Sequence, residues 1–310
     1  MWRHKDLLGL ENLTAAEIQH VLRTAKPMKG ILMRPVKKLP TLRGKAVFHV
    51  FYEASTRTRT SFETAAKVLG ADTASIAVAQ SSVSKGESLY DTLRTLEAMR
   101  PDIVVVRHQA SGAAEFLAKH LQAGVINAGD GQHEHPTQAL LDLFTMQEKL
   151  GELAGKKVVI VGDILHSRVA RSNVWGLTKL GAQVVLVGPP TLLPAEMRVL
   201  GVECSHDLDE ALVGADVVMA LRLQLERQQA GLFPSLREYS RAYGLTSARL
   251  KRTGKETLIM HPGPMNRGVE ITSELANSPQ AVIEEQVTNG VAVRMALIYL
   301  LTGGTGHVVD

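Results

Sequence analysis

The sequence predicts an α/β protein with two similar domains, each built on a doubly wound parallel sheet. At 310 residues the chain is long enough for about two domains, and it combines 45% hydrophobic with only 4% aromatic residues. Short apolar runs rich in β-branched residues alternate with helical patterns in two successive series. Such a repeated alternation of strand and helix is typical of parallel sheets with helices on both faces.

The predicted strands form two groups along the chain. They are 46–51, 75–79, 103–106 and 124–127 in the first group, and 157–162, 183–188, 202–204, 216–221 and 257–260 in the second. The helix that begins at His135-Pro136 and ends near Gly151 separates the groups, which predicts domains of residues 1–134 and 135–290. The apolar pattern before Gly303-Gly304 predicts a last helix, 291–304, that packs back on the first domain. Ligands of such proteins bind between domains, so we expect the active site in that cleft.

The most informative segment follows the first predicted strand. Helical spacing of apolar residues begins at Phe62, so the run Ser55-Thr56-Arg57-Thr58-Arg59 lies at a helix N-terminus. Free backbone N–H groups and the positive end of the helix dipole meet there, while hydroxyls and the Arg57 fork add further donors. The alternative is an ordinary helix cap followed by solvated arginines, but a cap needs only one hydroxyl. The segment therefore predicts a phosphate site.

Further polar residues follow later strands. Arg107 and His108 come directly after 103–106, at the carboxyl end of a strand, where open α/β sheets bind ligands. The serine-rich loop 80–87 contains Ser81 and one cationic side chain, Lys85. Taken alone, this loop is typical of a plain surface connection.

Two other kinds of site are not favoured. His133, Glu134 and His135 are candidate metal ligands, but adjacent residues point in different directions and no spacing completes a zinc site. Asp163 follows an apolar strand, yet the segment 162–167 lacks the glycines of a dinucleotide loop. We therefore predict neither a metal nor a cofactor.

Composition excludes other classes of protein. The net charge is +4 and the pI about 9.1, but the basic residues occur as scattered pairs without aromatic neighbours, which argues against nucleic acid as a partner. The apolar runs are too short for a membrane span and no signal peptide is visible, so we expect no membrane partner and a cytoplasmic location. The lone Cys204 excludes an intrachain disulfide.

The motifs together resemble the aspartate/ornithine carbamoyltransferase family, from about Lys5 to Gly304. The matching segments are, in order, Ser-Thr-Arg-Thr-Arg, Ser-Lys-Gly-Glu, Val-Arg-His, His-Pro-Thr-Gln-Ala-Leu-Leu-Asp, Gly-Asp-Ile-Leu-His-Ser-Arg, Leu-Arg-Leu-Gln and His-Pro-Gly-Pro. The ornithine branch typically carries His-Cys-Leu-Pro and Asp-x-x-x-Ser-Met-Gly, which this sequence lacks. Arg168 and Arg222 suit a dicarboxylate instead, so the resemblance is closer to the aspartate branch, with the ornithine branch as the alternative.

The resemblance implies transfer of a carbamoyl group from carbamoyl phosphate to L-aspartate, giving N-carbamoyl-L-aspartate and phosphate, a step of pyrimidine biosynthesis. The implied carbamoyl phosphate contacts are Ser55, Thr56, Arg57, Thr58, Arg107, His135, Gln138 and the carbonyls near Pro262 and Gly263. Of these, Thr58, Arg107 and His135 would donate to the carbamoyl oxygen as it gains charge.

The resemblance also implies how aspartate is bound and how the chain assembles. Arg168, Arg222 and Gln224 would bind aspartate together with Lys85. In this family, the counterparts of Ser81 and Lys85 act in the neighbouring subunit's site, which implies a homotrimer. The leaving phosphate would accept the amine proton, so His135 is interpreted as a donor rather than a base.

One departure from the family concerns the His-Pro-Gly-Pro segment. Many relatives have Leu where this chain has Gly263, which permits other dihedral angles in the loop. The longer loop over 260–270 resembles that of bacterial chains that associate with dihydroorotase or work without regulatory subunits. The alternative is a non-catalytic protein with this fold, which would lack at least one of the charged residues that the family uses. This sequence contains all of them.

Overall fold

The computed structural model describes residues 2–77, 89–224 and 235–304. It confirms the predicted fold class, because it contains two parallel sheets with helices around them. The chain divides into two compact units. Within the described residues, the first unit runs to Leu141 and resumes at Thr288, and the second is Asp142–Val287.

The helices are numbered in chain order. They are α1 (Ala15–Leu32), α2 (Thr56–Val68), α3 (Leu89–Ala98), α4 (Ala113–His120), α5 (Pro136–Leu150), α6 (Arg168–Lys179), α7 (Leu208–Ala211), α8 (Leu236–Tyr243), α9 (Ser247–Leu250), α10 (Ser273–Ala276) and α11 (Ile283–Leu301). Short 3₁₀ turns cover Ala195–Leu200 and Lys251–Thr253. None of the helices described is long and apolar enough to cross a bilayer.

The first unit contains a four-stranded sheet in the order β2-β1-β3-β4. Its strands are β1 (Ala46–Phe51), β2 (Asp72–Ala77), β3 (Ile103–His108) and β4 (Gly124–Asp130). Phe51 pairs with Arg107, so the carboxyl ends of β1 and β3 lie side by side. Val50, Val104 and Val106 form a buried cluster with Leu93 and Leu96 of α3 on one face of this sheet.

The second unit contains a five-stranded sheet in the order β7-β6-β5-β8-β9. Its strands are β5 (Lys157–Val161), β6 (Gln183–Val187), β7 (Glu203–Ser205), β8 (Val217–Ala220) and β9 (Leu258–Met260). The strands β5, β8 and β9 are neighbours, so the segments that follow them start along one edge of this sheet.

Two predicted boundaries were wrong. Strand β2 begins at Asp72 rather than at residue 75, because its pairing with β1 starts at polar residues that the apolar pattern passed over. Helix α11 begins at Ile283 rather than at 291, and Glu284 and Glu285 in its first turn complement the positive end of the helix dipole. The predicted strand residues 78–79 and the predicted loop 80–87 lie outside the described residues.

A buried histidine in β1 yields a prediction about pH. His49 is 0% exposed, and burial lowers its pKa from 6.5 to about 4. Between pH 6.5 and about 4, the unfolded chain therefore binds a proton on His49 that the folded chain does not bind. The free energy of unfolding falls as the pH drops through this range. We expect that lowering the pH from 7 to 4 will reduce the free energy of unfolding of the wild type by about 3 kcal/mol more than that of His49→Leu.

Urea unfolding of both proteins between pH 4 and 7 measures this difference. Free energies of unfolding that change in parallel with pH would contradict the assignment of a neutral, buried imidazole to His49.

Candidate active site

The predicted phosphate run begins helix α2. Ser55 is the N-cap residue, with extended backbone (φ −160°, ψ 92°), and its side chain makes no capping hydrogen bond. The first turn of α2 contains no acidic side chain. Thr58 is buried, whereas Thr56 and Arg57 are exposed. Backbone donors, hydroxyls and a guanidinium group therefore share a site of positive potential that can take an anion.

Arg107 is the penultimate residue of strand β3 and lies beside the carboxyl end of β1. Only 12% of its side chain is exposed, and Nη2 lies 3.1 Å from Oε1 of Glu53. Nη1 donates to the carbonyl oxygen of Ala128 at 3.2 Å. An anion bound near this guanidinium would compete with Glu53, so the ion pair both places Arg107 and neutralises it. Sequence analysis missed Glu53, although an acid two residues before the phosphate run was a usable signal.

His135 and Gln138 lie at the start of α5. Their side chains are buried, with residue exposures of 4% and 9%. The backbone N–H of Gln138 donates to the carbonyl oxygen of His135 at 3.0 Å, which fixes the two residues in the first turn. Both side chains can supply polar contacts to one small, partly desolvated ligand.

The loop that leads to His135 is held by two buried carboxylates. Asp130 accepts from the backbone N–H groups of Gly112 and Glu134, at 2.7 and 3.1 Å. Burial alone would raise the pKa of Asp130, but hydrogen bonds from His133, Asn127 and Gly112 outweigh it and lower the pKa. The loop is thus fixed by charge-assisted hydrogen bonds that favour the ionised carboxylate.

The second anchor is Glu134, a former metal-ligand candidate. Glu11, His133 and Glu134 each place one ligand atom within 4.8 Å of the others, and His135 is not part of that group. The Glu134 carboxylate accepts from the backbone N–H groups of Leu10 and Glu11 at 2.9 to 3.1 Å. Nδ1 of His133 lies 3.1 Å from Oδ2 of Asp130. These contacts explain the cluster as a structural anchor of the loop before His135.

In the second unit, Arg168 opens helix α6 and is only 3% exposed. The turn before it is fixed by Asp163, whose Oδ1 lies 2.8 Å from Nδ1 of His166, and by Ser167, whose hydroxyl accepts from the N–H of Ala170. Gly162 starts this turn with φ +142°, and a Cβ there would lie 2.9 Å from Cβ of Leu221. Glycine is needed because the chains after β5 and β8 pass so closely.

Arg222 and Gln224 follow strand β8 and are half-buried. The N–H of Leu223, between them, donates to Oε1 of Glu270 at 2.8 Å. Oε2 of Glu270 accepts from the N–H of Asn266 at 2.8 Å. Glu270 is 1% exposed, and burial raises its pKa. This carboxylate therefore ties the segment with Arg222 to the loop after β9, a role that sequence analysis did not detect.

The loop after β9 contains the departure seen in the sequence. Gly263 has φ +63°, in the left-handed region that favours glycine. Its N–H donates to Nδ1 of His261 at 2.8 Å, and the peptide bond to Pro264 is cis. Pro262 and Gly263 are half-buried. Glycine at 263 thus matches the backbone that the loop adopts.

The predicted site residues fall into three sets. The first set lies in the first unit, near the carboxyl ends of three strands. It consists of Ser55, Thr56, Arg57 and Thr58 after β1, Arg107 near the end of β3, and His135 and Gln138 after β4. The second unit contains Arg168, Arg222, Gln224, Pro262 and Gly263, after the adjacent strands β5, β8 and β9. Ser81 and Lys85 lie outside the described residues.

Two family descriptions match the chain almost end to end. Residues 5–148 match the aspartate/ornithine carbamoyltransferase carbamoyl-P binding domain. Residues 154–301 match the aspartate/ornithine carbamoyltransferase Asp/Orn binding domain.

Individual proteins give the same result. The chain is 72% identical over 310 residues to the aspartate carbamoyltransferase catalytic subunit of Desulfitobacterium hafniense, covering 100% of this chain and 99% of that one. Aspartate transcarbamoylase from Trypanosoma cruzi, in complex with carbamoyl aspartate and phosphate, has a TM-score of 0.86 at 30% identity, with 96% of each chain covered. Ornithine carbamoyltransferase from Pyrococcus furiosus has a TM-score of 0.85 at 32% identity, covering 96% of this chain and 97% of that one. The fold therefore does not separate the two branches, whereas the high-identity relative belongs to the aspartate branch.

Proposed function

We propose that this chain, which belongs to the aspartate/ornithine carbamoyltransferase family, is an aspartate carbamoyltransferase. It converts carbamoyl phosphate and L-aspartate to N-carbamoyl-L-aspartate and phosphate, a step of pyrimidine biosynthesis. The observation that carries this conclusion is the presence of a phosphate-type helix start in one unit and two arginines after adjacent strands in the other. The 72% identical relative supports aspartate as the acceptor.

The first unit is proposed to bind carbamoyl phosphate. Ser55, Thr56, Arg57 and Thr58 hold the phosphate at the positive end of α2. Arg107 bridges the phosphate and the carbamoyl oxygen, which requires it to loosen its 3.1 Å contact with Glu53. We assign this role to a domain of residues 1–134 together with residues 291–304, and aspartate binding to residues 135–290.

Catalysis is proposed to rest on stabilisation of charge at the carbamoyl oxygen. The aspartate amine attacks the carbamoyl carbon, and the oxygen gains negative charge before the bond to the phosphate oxygen breaks. Thr58, Arg107 and His135 donate to that oxygen, in a site where low exposure strengthens each interaction. The departing phosphate takes the amine proton, so the scheme needs no metal, cofactor or dedicated base. Gln138 and the carbonyls of Pro262 and Gly263 accept from the carbamoyl amide.

Aspartate is proposed to bind through two arginines because it carries two carboxylates. Each guanidinium fork of Arg168 and Arg222 matches one carboxylate bidentately, and Gln224 adds a polar contact. Lys85 completes the set. An ornithine side chain would bring an ammonium group to these cations, which is unfavourable.

Assembly is proposed from the family resemblance. Ser81 and Lys85 act in the neighbouring subunit's site, which makes the active form a homotrimer. Larger complexes with dihydroorotase or regulatory chains are the alternatives to a separate trimer, and the cytoplasmic location stays a prediction.

Substrate choice tests the proposed function directly. N-(phosphonacetyl)-L-aspartate, which joins a phosphonate to aspartate, should raise the melting temperature strongly, since ligand at about 100 times its Kd contributes roughly 2.7 kcal/mol. The corresponding ornithine compound should leave it unchanged. Carbamoylation assays with each amino acid should show the same preference.

Two arginine variants test whether Arg168 binds the aspartate part of this compound. Arg168→Ala should strongly reduce the stabilisation by the aspartate compound, and Arg23→Ala, on the exposed side of α1, should preserve it. A protein stabilised only by the ornithine compound would belong functionally to the other branch.

Subunit complementation tests the shared site. Lys85→Ala and His135→Ala should each be nearly inactive as pure proteins. After reversible dissociation and mixing in equal amounts, about one quarter of the sites should combine an intact His135 with an intact Lys85 from the next chain. Activity of the mixture, with mixed trimers confirmed by mass, measures this.

Each variant dissociated and reassociated alone serves as the control and should stay inactive. Mixed trimers without recovered activity would show that Lys85 does not act across the subunit boundary.

A further inference from the structure

The last helix contains a buried charge in an otherwise apolar stretch. Arg294 is 4% exposed, and its neighbours Val293 and Met295 are fully buried. A buried guanidinium is costly unless hydrogen bonds or charges compensate it. Its contacts therefore indicate what the charge does for the fold around the first unit's site residues.

The guanidinium of Arg294 reaches both helices that carry those residues. Nη1 donates to the hydroxyl of Ser61 at 2.9 Å, and the Cζ atom lies 5.1 Å from the ring centre of Phe62, a cation–π distance. Ser61 and Phe62 belong to α2. Nη2 lies 3.5 Å from Oγ1 of Thr137 in α5, at the limit of a hydrogen bond. One side chain thus contacts α2 and α5 at once.

These contacts fall one turn or less from proposed ligand groups. Ser61 follows Thr58 by three residues, so both lie on one side of α2. Thr137 lies between His135 and Gln138 in the first turn of α5. A shift of the guanidinium would therefore change the positions of residues 55–58 and of His135 and Gln138.

Helix α11 also makes room for this side chain. A Cβ added at Gly290, one turn earlier, would lie 2.6 Å from Nη1 of Arg294 and 3.0 Å from Cδ2 of Leu141. Because glycine has no Cβ, residue 290 does not displace the guanidinium from its contacts with α2 and α5.

We propose that Arg294 is a positioning residue for the transfer reaction. It fixes the start of α2 relative to the start of α5, so that the phosphate-binding residues 55–58 and the carbamoyl-contacting His135 and Gln138 keep their productive spacing. This role rests on the proposed function. It is distinct from substrate contact, since Arg294 acts through Ser61, Phe62 and Thr137.

The test compares Arg294→Met and Arg294→Lys with the wild type. Misplacement of catalytic groups by about 1 Å costs on the order of 100-fold in rate, so we expect kcat of Arg294→Met to fall by about that factor. Inhibition by inorganic phosphate, which depends on the start of α2 and on Arg107 but not on α5, should change little. Arg294→Lys, which keeps the charge but not the fork, should recover part of kcat. Met295→Leu, a volume-conserving change at the next buried position, is the control and should keep normal kcat.

A double-mutant cycle with Gly290→Ala provides an independent measurement. The added methyl should displace the guanidinium and lower kcat in the wild-type background, yet have little further effect in Arg294→Met. Additive effects would contradict positioning through Arg294. If Arg294→Met fails to fold, Arg294→Lys takes its place as the second background of the cycle.

The remaining outcomes are distinct. A folded Arg294→Met with normal kcat would overturn the proposal. A parallel loss of kcat and of phosphate inhibition would also overturn it, because Arg294 would then support only α2. A wild type inactive with aspartate would instead contradict the proposed function.

Discussion

The proposed chemistry depends on one electrostatic constraint, which is that an oxyanion must be held where its charge meets preorganised donors. The start of α2 supplies backbone N–H groups, hydroxyls and Arg57 without an acid in its first turn. Parallel pairing of β1 with β3 places Arg107 in register with the end of β1. The sheet order therefore determines which cation can join the phosphate run.

Buried and half-buried carboxylates place the groups that would do the chemistry. Glu53 holds Arg107, Glu134 anchors the loop before His135, and Glu270 fixes the segment that contains Arg222. Asp163 has the same role before Arg168. Each acid is compensated by N–H donors or a guanidinium, as buried charges require. In each unit, carboxylates thus fix the segments that contain the cations proposed to bind ligand.

Local signals made most of the fold and of the candidate site predictable. Apolar runs marked the strands, and the run from Ser55 to Thr58 marked a helix start, because both depend on neighbouring residues. The anchors were not predictable in this way. Leu223 and Glu270 are 47 residues apart, and Arg294 and Ser61 are 233 apart, so no local pattern shows that they meet. A single arginine within an apolar helix was the one available signal.

The most direct measurement of the central claim is calorimetric binding of carbamoyl phosphate to the wild type, Arg57→Ala and Arg59→Ala. Arg59 lies in the same helix, and its Nε is 3.8 Å from Glu63, so it is a matched control outside the proposed phosphate contacts. Loss of a charge-assisted bidentate contact costs about 1.5–3 kcal/mol, so Arg57→Ala should weaken binding by at least about tenfold. Arg59→Ala should bind nearly as the wild type does. Equal affinities for all three proteins would contradict the assignment of the phosphate site to the start of α2.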